Sequence, residues 1–279
     1  MQIHHLRNAT MLLTLGQHRL LVDPLLGKPG VMPGFKMFGG GRKPNPLVPL
    51  PPQAEACLAQ ATAVLITHEH PDHFDAAGIE WVRARKLPVW ASSIDLPSLR
   101  RKGLDAHELR DGDLGLSVEA IPGQHGRGPL GWLMGQVSGF YLAHPDEPSV
   151  YLTSDSVLSD TVVAAMARLK PEVVVAPAGS ANMGLGGDIL FSFEELITLA
   201  KQAPREVVFN HLEALDHCPA TRDALRKRIA EEGLSARVHI PSDGEVLHFQ
   251  RQDAAPQPRP QPFVSRAPGF QKWLTSKLG

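Results

Sequence analysis

An α/β fold is what the sequence predicts, and three observations predict it. Short apolar runs rich in β-branched residues recur along most of the chain, for example Ala63-Val64-Leu65-Ile66-Thr67 and Glu206-Val207-Val208-Phe209-Asn210. Segments of helical composition separate many of them. No self-similarity of solenoid length is present, so the runs belong to one domain rather than to stacked repeats.

The elements follow in order. Residues 2–23 read as strands joined by tight turns, Gly16-Gln17 marking one of them. Residues 27–52 form a long loop loaded with Gly and Pro. A strand is expected at 62–67, a helix near 75–86, a strand at 88–92 and a helix near 94–102. Strands follow near 116–122, 136–143 and 149–154, then a helix over Val157 to Leu169 and a strand over Glu172 to Ala176. Ser192 caps a helix from Phe193 to Gln202. A strand at Glu206 to Asn210, a helix at Ala220 to Glu232 and a strand pair at 236–240 and 245–250 complete the body, 1–252. The extension 253–279 is Pro-rich through Pro268, and its Phe270, Trp273 and Leu274 are spaced like one side of a short helix. Disorder and docking onto the body or a partner subunit are equal expectations for it.

The most informative stretch is residues 67–75, Thr-His-Glu-His-Pro-Asp-His-Phe-Asp. It sets His68, His70, Asp72, His73 and Asp75 on the loop that leaves the carboxyl end of a strand. Imidazole and carboxylate are the ligands that borderline divalent metals prefer, and burying such groups unpaired is costly. Other apolar strands run into His125, Asp155 and His211. Glu213, Asp216 and His217 follow the same strand as His211, so His217 competes with it as a ligand; His211, at the strand end, is preferred. Asp155 read alone is a helix cap for the run after it, and Asp23 read alone is a turn residue before Pro24. His4, His5, His18, His107, His144, His239 and His248 read as ordinary strand or surface residues.

The pattern His-x-His-x-Asp-His after a strand resembles the metallo-β-lactamase superfamily, and the resemblance runs from Ile3 to Phe249. It implies an αββα sandwich: two mixed β-sheets face to face with helices outside. It also implies a hydrolase with a binuclear site and a metal-bound hydroxide. His68, His70 and His125 would hold one metal, Asp72, His73 and His211 the second, and Asp155 would bridge. Asp72 would in addition be catalytic, accepting a proton as the leaving group departs. Asp23 would orient a ligand histidine from behind. The opening His4-His5-Leu6-Arg7-Asn8-Ala9-Thr10 and Leu20-Leu21-Val22-Asp23-Pro24 resemble the ascorbate-6-phosphate lactonase-like branch. Two departures stand out. Ser154-Asp155-Ser156 replaces the usual Gly-Asp-Thr, and Leu158 stands where acyl-homoserine lactonases often carry tyrosine.

A lactone or related ester is therefore the expected substrate, with a phosphodiester as the alternative on the same metals. A metal-stabilised binding protein without turnover is the alternative of another class. Two divalent ions are expected, zinc first, with Mn2+ or Fe2+ also feasible. Arg42 and Lys43 on the 27–52 loop and Arg127 beside His125 are candidates to meet an anionic small-molecule substrate. A net charge of −1 gives no broad field for nucleic acid or membrane. No apolar run reaches the ~18 residues a spanning helix needs. Two cysteines are too few for a disulfide scaffold, so a reducing cytoplasm is the expected setting. A homo-oligomer is compatible with all of this.

Overall fold

The first sheet begins as an antiparallel meander of β1 (Gln2–Arg7), β2 (Thr10–Leu15) and β3 (His18–Val22). It continues in parallel through β4 (Ala63–Ile66), β5 (Val89–Ala91) and β6 (Ala106–Glu108). The links are α1 (Ala54–Leu58), α2 (Ala76–Arg85) and α3 (Leu96–Arg101). The second sheet repeats the plan. β7 (Ser117–Gln124), β8 (Gln136–Ala143) and β9 (Val150–Leu152) are antiparallel, with α4 (Gly128–Met134) between the first two. β10 (Val173–Pro177), β11 (Glu206–Asn210) and β12 (Val238–His239) run parallel to β9. Their links are α5 (Asp160–Leu169), α6 (Phe193–Gln202) and α7 (Arg222–Glu231). The computed structural model describes residues 1–184 and 187–251, so the extension 253–279 lies outside the described residues.

Two-residue periodicity explains the layering. Leu20, Leu65, Val175 and Val208 point between the sheets, where they meet Leu13, Phe140, Leu142 and Leu152. Their neighbours Leu21 and Val64 point outward onto α2 and α3 through Val82 and Leu99. Val174, Val207 and Phe209 face α5, α6 and α7 through Met166, Leu196, Leu199 and Leu225. Strands apolar on both faces are what a sheet covered on both sides requires. The result is the expected αββα sandwich.

Several boundaries move for local reasons. α5 starts at Asp160 rather than Val157, because the Ser159 hydroxyl accepts from Val162 N and caps the helix. That leaves Asp155 outside any cap. α7 starts at Arg222, capped by Thr221. The capping box of Ser192 and Glu195 opens α6 where the sequence placed it. The final two strands do not pair with each other: β12 extends the second sheet beside β11, whereas β13 (Val246–His248) crosses to the edge of the first beside β1. The short elements α1, α4 and β6 carry too little periodicity to be read from sequence. Among the described residues no helix is long and apolar enough to cross a membrane.

Candidate active site

The carboxyl ends of β3, β4, β7, β9 and β11 meet at one rim of the sandwich, and the residues that leave them converge there. β4 ends at Ile66, and the backbone turns at once, with His73 N and Phe74 N both donating to His70 O. That turn brings His68, His70, Asp72 and His73 together. His68, His70 and His125 form one group and Asp72, His73, Asp155 and His211 another, with ligand-capable atoms in each within 4.8 Å of one another. Asp155 Oδ2 stands between the groups. It lies 3.2 Å from His73 Nε2, 3.6 Å from His125 Nε2, 3.7 Å from His211 Nε2 and 4.0 Å from His68 Nε2. Asp72 Oδ2 lies 3.5 Å from His211 Nε2.

Each imidazole is turned by a partner on its far side. His68 Nδ1 lies 3.1 Å from Thr67 Oγ1 and 3.3 Å from Ser154 Oγ. His73 Nδ1 lies 2.9 Å from Asp23 Oδ2, which also accepts from Thr67 Oγ1 at 2.6 Å. Asp23 Oδ1 accepts from Thr67 N at 2.8 Å. Asp23 thus takes the place expected of it, behind His73. His125 Nδ1 donates to Ile189 O at 2.8 Å, His70 Nε2 to Met134 O at 3.1 Å, and His211 Nδ1 lies 3.6 Å from Cys218 Sγ. The arrangement leaves Nε2 of His68, His73, His125 and His211 turned towards the cluster. Partners on the far ring nitrogen fix tautomer and orientation in this way in metal sites.

Charge divides the two groups. Burial, with His73 and His70 beside it, holds the His68 pKa well below the usual value, and burial pushes His125 down to about 4. His73 and His211 are equally buried, yet their carboxylate neighbours win. Asp155 and Asp23 hold His73 well above its usual range; Asp155, Cys218 and Asp72 raise His211 to about 10. Burial alone would raise Asp72 and Asp155, but His211 and His73 pull both below the ordinary carboxylate range.

The remaining sequence candidates fall elsewhere. His217 is buried but belongs to neither group; its ring packs edge-on against Phe35, with centroids 5.3 Å apart. Asp75 caps α2, accepting from Gly78 N and from Leu26 N and Gly27 N of the long loop. Arg127 bonds Glu195 and Leu158 O, and Arg42 donates Nε to Gly34 O at 2.7 Å within its own loop. Lys43 is exposed, and its backbone N–H donates to Asp216 Oδ2. Sequence reasoning missed the residues that position the histidines: Thr67, Ser154, Cys218 and the carbonyls of Met134 and Ile189. Ser154 carried a signal, because it holds a left-handed backbone, φ 57°, where the resembled pattern has glycine, and gains the contact to His68.

The profile of the Beta-lactamase superfamily domain matches residues 18–212. The chain belongs to the beta-lactamase superfamily. Relatives within this superfamily agree over nearly their whole length. The UPF0173 protein YddR of Bacillus subtilis is 29% identical over 254 residues, 89% of this chain and 100% of the relative. A UPF0173 metal-dependent hydrolase of Pyrobaculum arsenaticum is 26% identical over 257 residues, 88% of this chain and 99% of the relative. Among solved structures, an isothiocyanate hydrolase from Delia radicum gut bacteria superposes with TM-score 0.83 at 32% identity, covering 90% of this chain and 100% of the other. A possible metal-dependent hydrolase from Veillonella parvula superposes with TM-score 0.82 at 28% identity, covering 88% and 98%.

Proposed function

We propose that the protein is a binuclear metal-dependent hydrolase that adds water to an electrophilic carbon of a small molecule. The observation that carries this reading is a set of stranded polar atoms. Nε2 of His68 and Oδ1 of Asp155 are buried without a hydrogen-bond partner, and Nε2 of His73 and His211 face only the Asp155 and Asp72 carboxylates, at 3.2 to 3.7 Å. Four such groups facing one another are costly to keep in the interior of a protein, and cations relieve the cost. The donor set fits two of them. His68, His70 and His125 would hold one, Asp72, His73 and His211 the other, and Asp155 would reach both. Imidazole-rich ligation favours zinc, with manganese and iron feasible. Bound there, two divalent cations supply Lewis acidity and a water acidified towards neutrality.

The chain's own residues do the rest. Asp23 and Thr67 hold His73 and His68 in the productive tautomers. Asp72 takes the proton released as the water oxygen bonds to carbon, and returns it to the leaving oxygen as the carbon–oxygen bond breaks. A lactone or related ester is the leading substrate class. The likeness to an isothiocyanate hydrolase supports a carbon electrophile and adds the isothiocyanate carbon as a second target. A phosphodiester is favoured less, since Arg42 and Arg127 are engaged by Gly34 O and Glu195 rather than facing the cluster. Turnover of a γ-lactone, an alkyl isothiocyanate and a bis-aryl phosphodiester, measured before and after chelation, tests the reading. Zinc-restored hydrolysis of a carbon electrophile is the expected result. Phosphodiester turnover alone would overturn the carbon assignment, and no turnover with full metal loading would support a binding protein.

A further inference from the structure

Every large hydrophobic side chain that is exposed among the described residues lies on two segments. Val31 (58%), Met37 (62%) and Phe38 (50%) stand on the 27–52 loop, and Trp132 (45%) and Leu133 (73%) on α4. Scattered single exposures are ordinary; a concentration of all of them is not. Both segments touch the metal-ligand cluster or its immediate border. α4 follows His125 directly, its Gly131 packs on Gly126, and its last residue gives the carbonyl that orients His70. The loop lays Phe35 on His217, the chain neighbour of Cys218, whose Sγ lies 3.6 Å from His211 Nδ1. One apolar segment therefore flanks the His68–His70–His125 group and the other flanks the Asp72–His211 side. They also join each other: Met32 and Phe35 of the loop share a core cluster with Leu130 and Met134 of α4 and with Ile189. Met37 N and Phe38 N both donate to Met183 O, which seats the loop tip on that cluster.

Two of the loop's cations are placed by the loop itself. Lys36 lies alongside Gly39 and Gly41, and Arg42 bonds back to Gly34. We infer that Met37, Phe38, Trp132 and Leu133 form an apolar mouth that takes the hydrocarbon tail of an uncharged substrate, while its electrophilic carbon enters the cluster. The inference rests on the proposed hydrolase and replaces the anionic substrate suggested by Arg42, Lys43 and Arg127 in the sequence. It makes the two segments determinants of specificity rather than of chemistry.

Inert N-alkyl γ-lactams test it, because they carry the tail and the carbonyl but resist hydrolysis. Butyl, hexyl and octyl members would be titrated into the metal-loaded protein by calorimetry. Full burial of one methylene corresponds to about four-fold in affinity, so the dissociation constant should tighten by roughly two- to four-fold per methylene. In the Phe38→Ser/Leu133→Ser double variant the dependence should flatten towards unity; both side chains are exposed, so the melting temperature, recorded alongside, should hold. Affinity independent of tail length in the wild type would overturn the inference. So would a wild-type dimer, by light scattering, that the double variant converts to monomer, since the mouth would then be an interface between copies. Hydrolysis assays separate this from the function itself. Tail-dependent binding without turnover sinks the hydrolase and leaves the mouth, whereas turnover without tail dependence sinks the mouth and leaves the hydrolase.

Discussion

The two halves of the cluster, the first buried except for the half-buried His70 and the second buried throughout, have opposite electrostatics. Around His68, His70 and His125 the partners behind the rings are neutral: hydroxyls of Thr67 and Ser154 and the carbonyls of Met134 and Ile189. Burial of His68 and His125 favours uncharged imidazole. Around His73 and His211 the partners are Asp23, Asp72 and Asp155, and imidazolium is favoured instead. The first half is a ready-made neutral ligand set, and the second is an ion-paired network in which a cation must displace protons. Holding a metal and holding charge are separable properties of one site, decided by which carboxylates stand beside each ring.

The largest expected effect comes from removing the group common to both halves. Asp155→Ala deprives four imidazole nitrogens of their shared carboxylate, so metal content measured by mass spectrometry should fall from about two per chain to well below one. Hydrolysis should drop by more than about 1,000-fold, beyond the ~100-fold that a lost orienting partner can cost. Retention of both metals would break the comparison at its hinge.

Asp72→Asn acts on the charged half alone. It keeps the side chain's size and removes the carboxylate that pairs with His211. Turnover should fall by at least roughly 100-fold, the lower end for acid–base groups, while one metal stays and circular dichroism is unchanged. Loss of folding would mean that the second half is structural.

The pair His211→Ala and His217→Ala asks whether membership of the cluster, rather than closeness to it, matters. The first should lower occupancy of the second site to about half of total metal or less. The second should leave metal content near wild type, since His217 packs on Phe35 instead. The reverse order would reassign the ligand.

The smallest effect sharpens the rule itself. Asp95 is a buried carboxylate like Asp72, but no imidazolium faces it, and burial, together with the nearby Glu69, pushes its pKa up to about 7. A folded pKa above the unfolded one means that its stabilising contribution is complete below about pH 4 and lost as pH rises through 7. Asp95→Asn should therefore be more stable than wild type at pH 8, by roughly 1–4 kcal/mol in urea melts, and show no advantage near pH 4. An equal gain at both pH values would show that the carboxylate's charge is not the cause.

How much of this was legible in the sequence depended on chain distance. The two-residue alternation in Leu20-Leu21, Val64-Leu65 and Val207-Val208 announced strands covered on both faces, and the run His68 to His73 is local enough to read as one loop. His125, Asp155 and His211 were legible because each ends an apolar strand. Opaque were contacts made across the fold by groups without chemical signature: the Met134 and Ile189 carbonyls, and the Cys218 thiol behind His211. Sequence shows the charges of Arg42 and Arg127 but not the partners they take in the fold, Gly34 O and Glu195. The crossing of β13 to the first sheet was illegible too, since nothing in residues 241–245 states which edge is free.

The 27–52 loop is fastened through backbone groups. Arg7, buried to 0% exposure, donates to the carbonyls of Leu25, Gly27 and Val48. Asp216 accepts from the amides of Phe35, Lys36 and Lys43. Apart from Asn45, which bonds Asp216 through its side chain, these fastenings ask nothing of side-chain identity. Within 36–43, Gly39, Gly40 and Gly41 hold positive φ and Arg42 bonds Gly34 O, so Lys36, Met37, Phe38 and Lys43 are the positions open to drift or engineering while the loop stays moored, a changeable tool head on a fixed shank where new substrate preferences can be grafted.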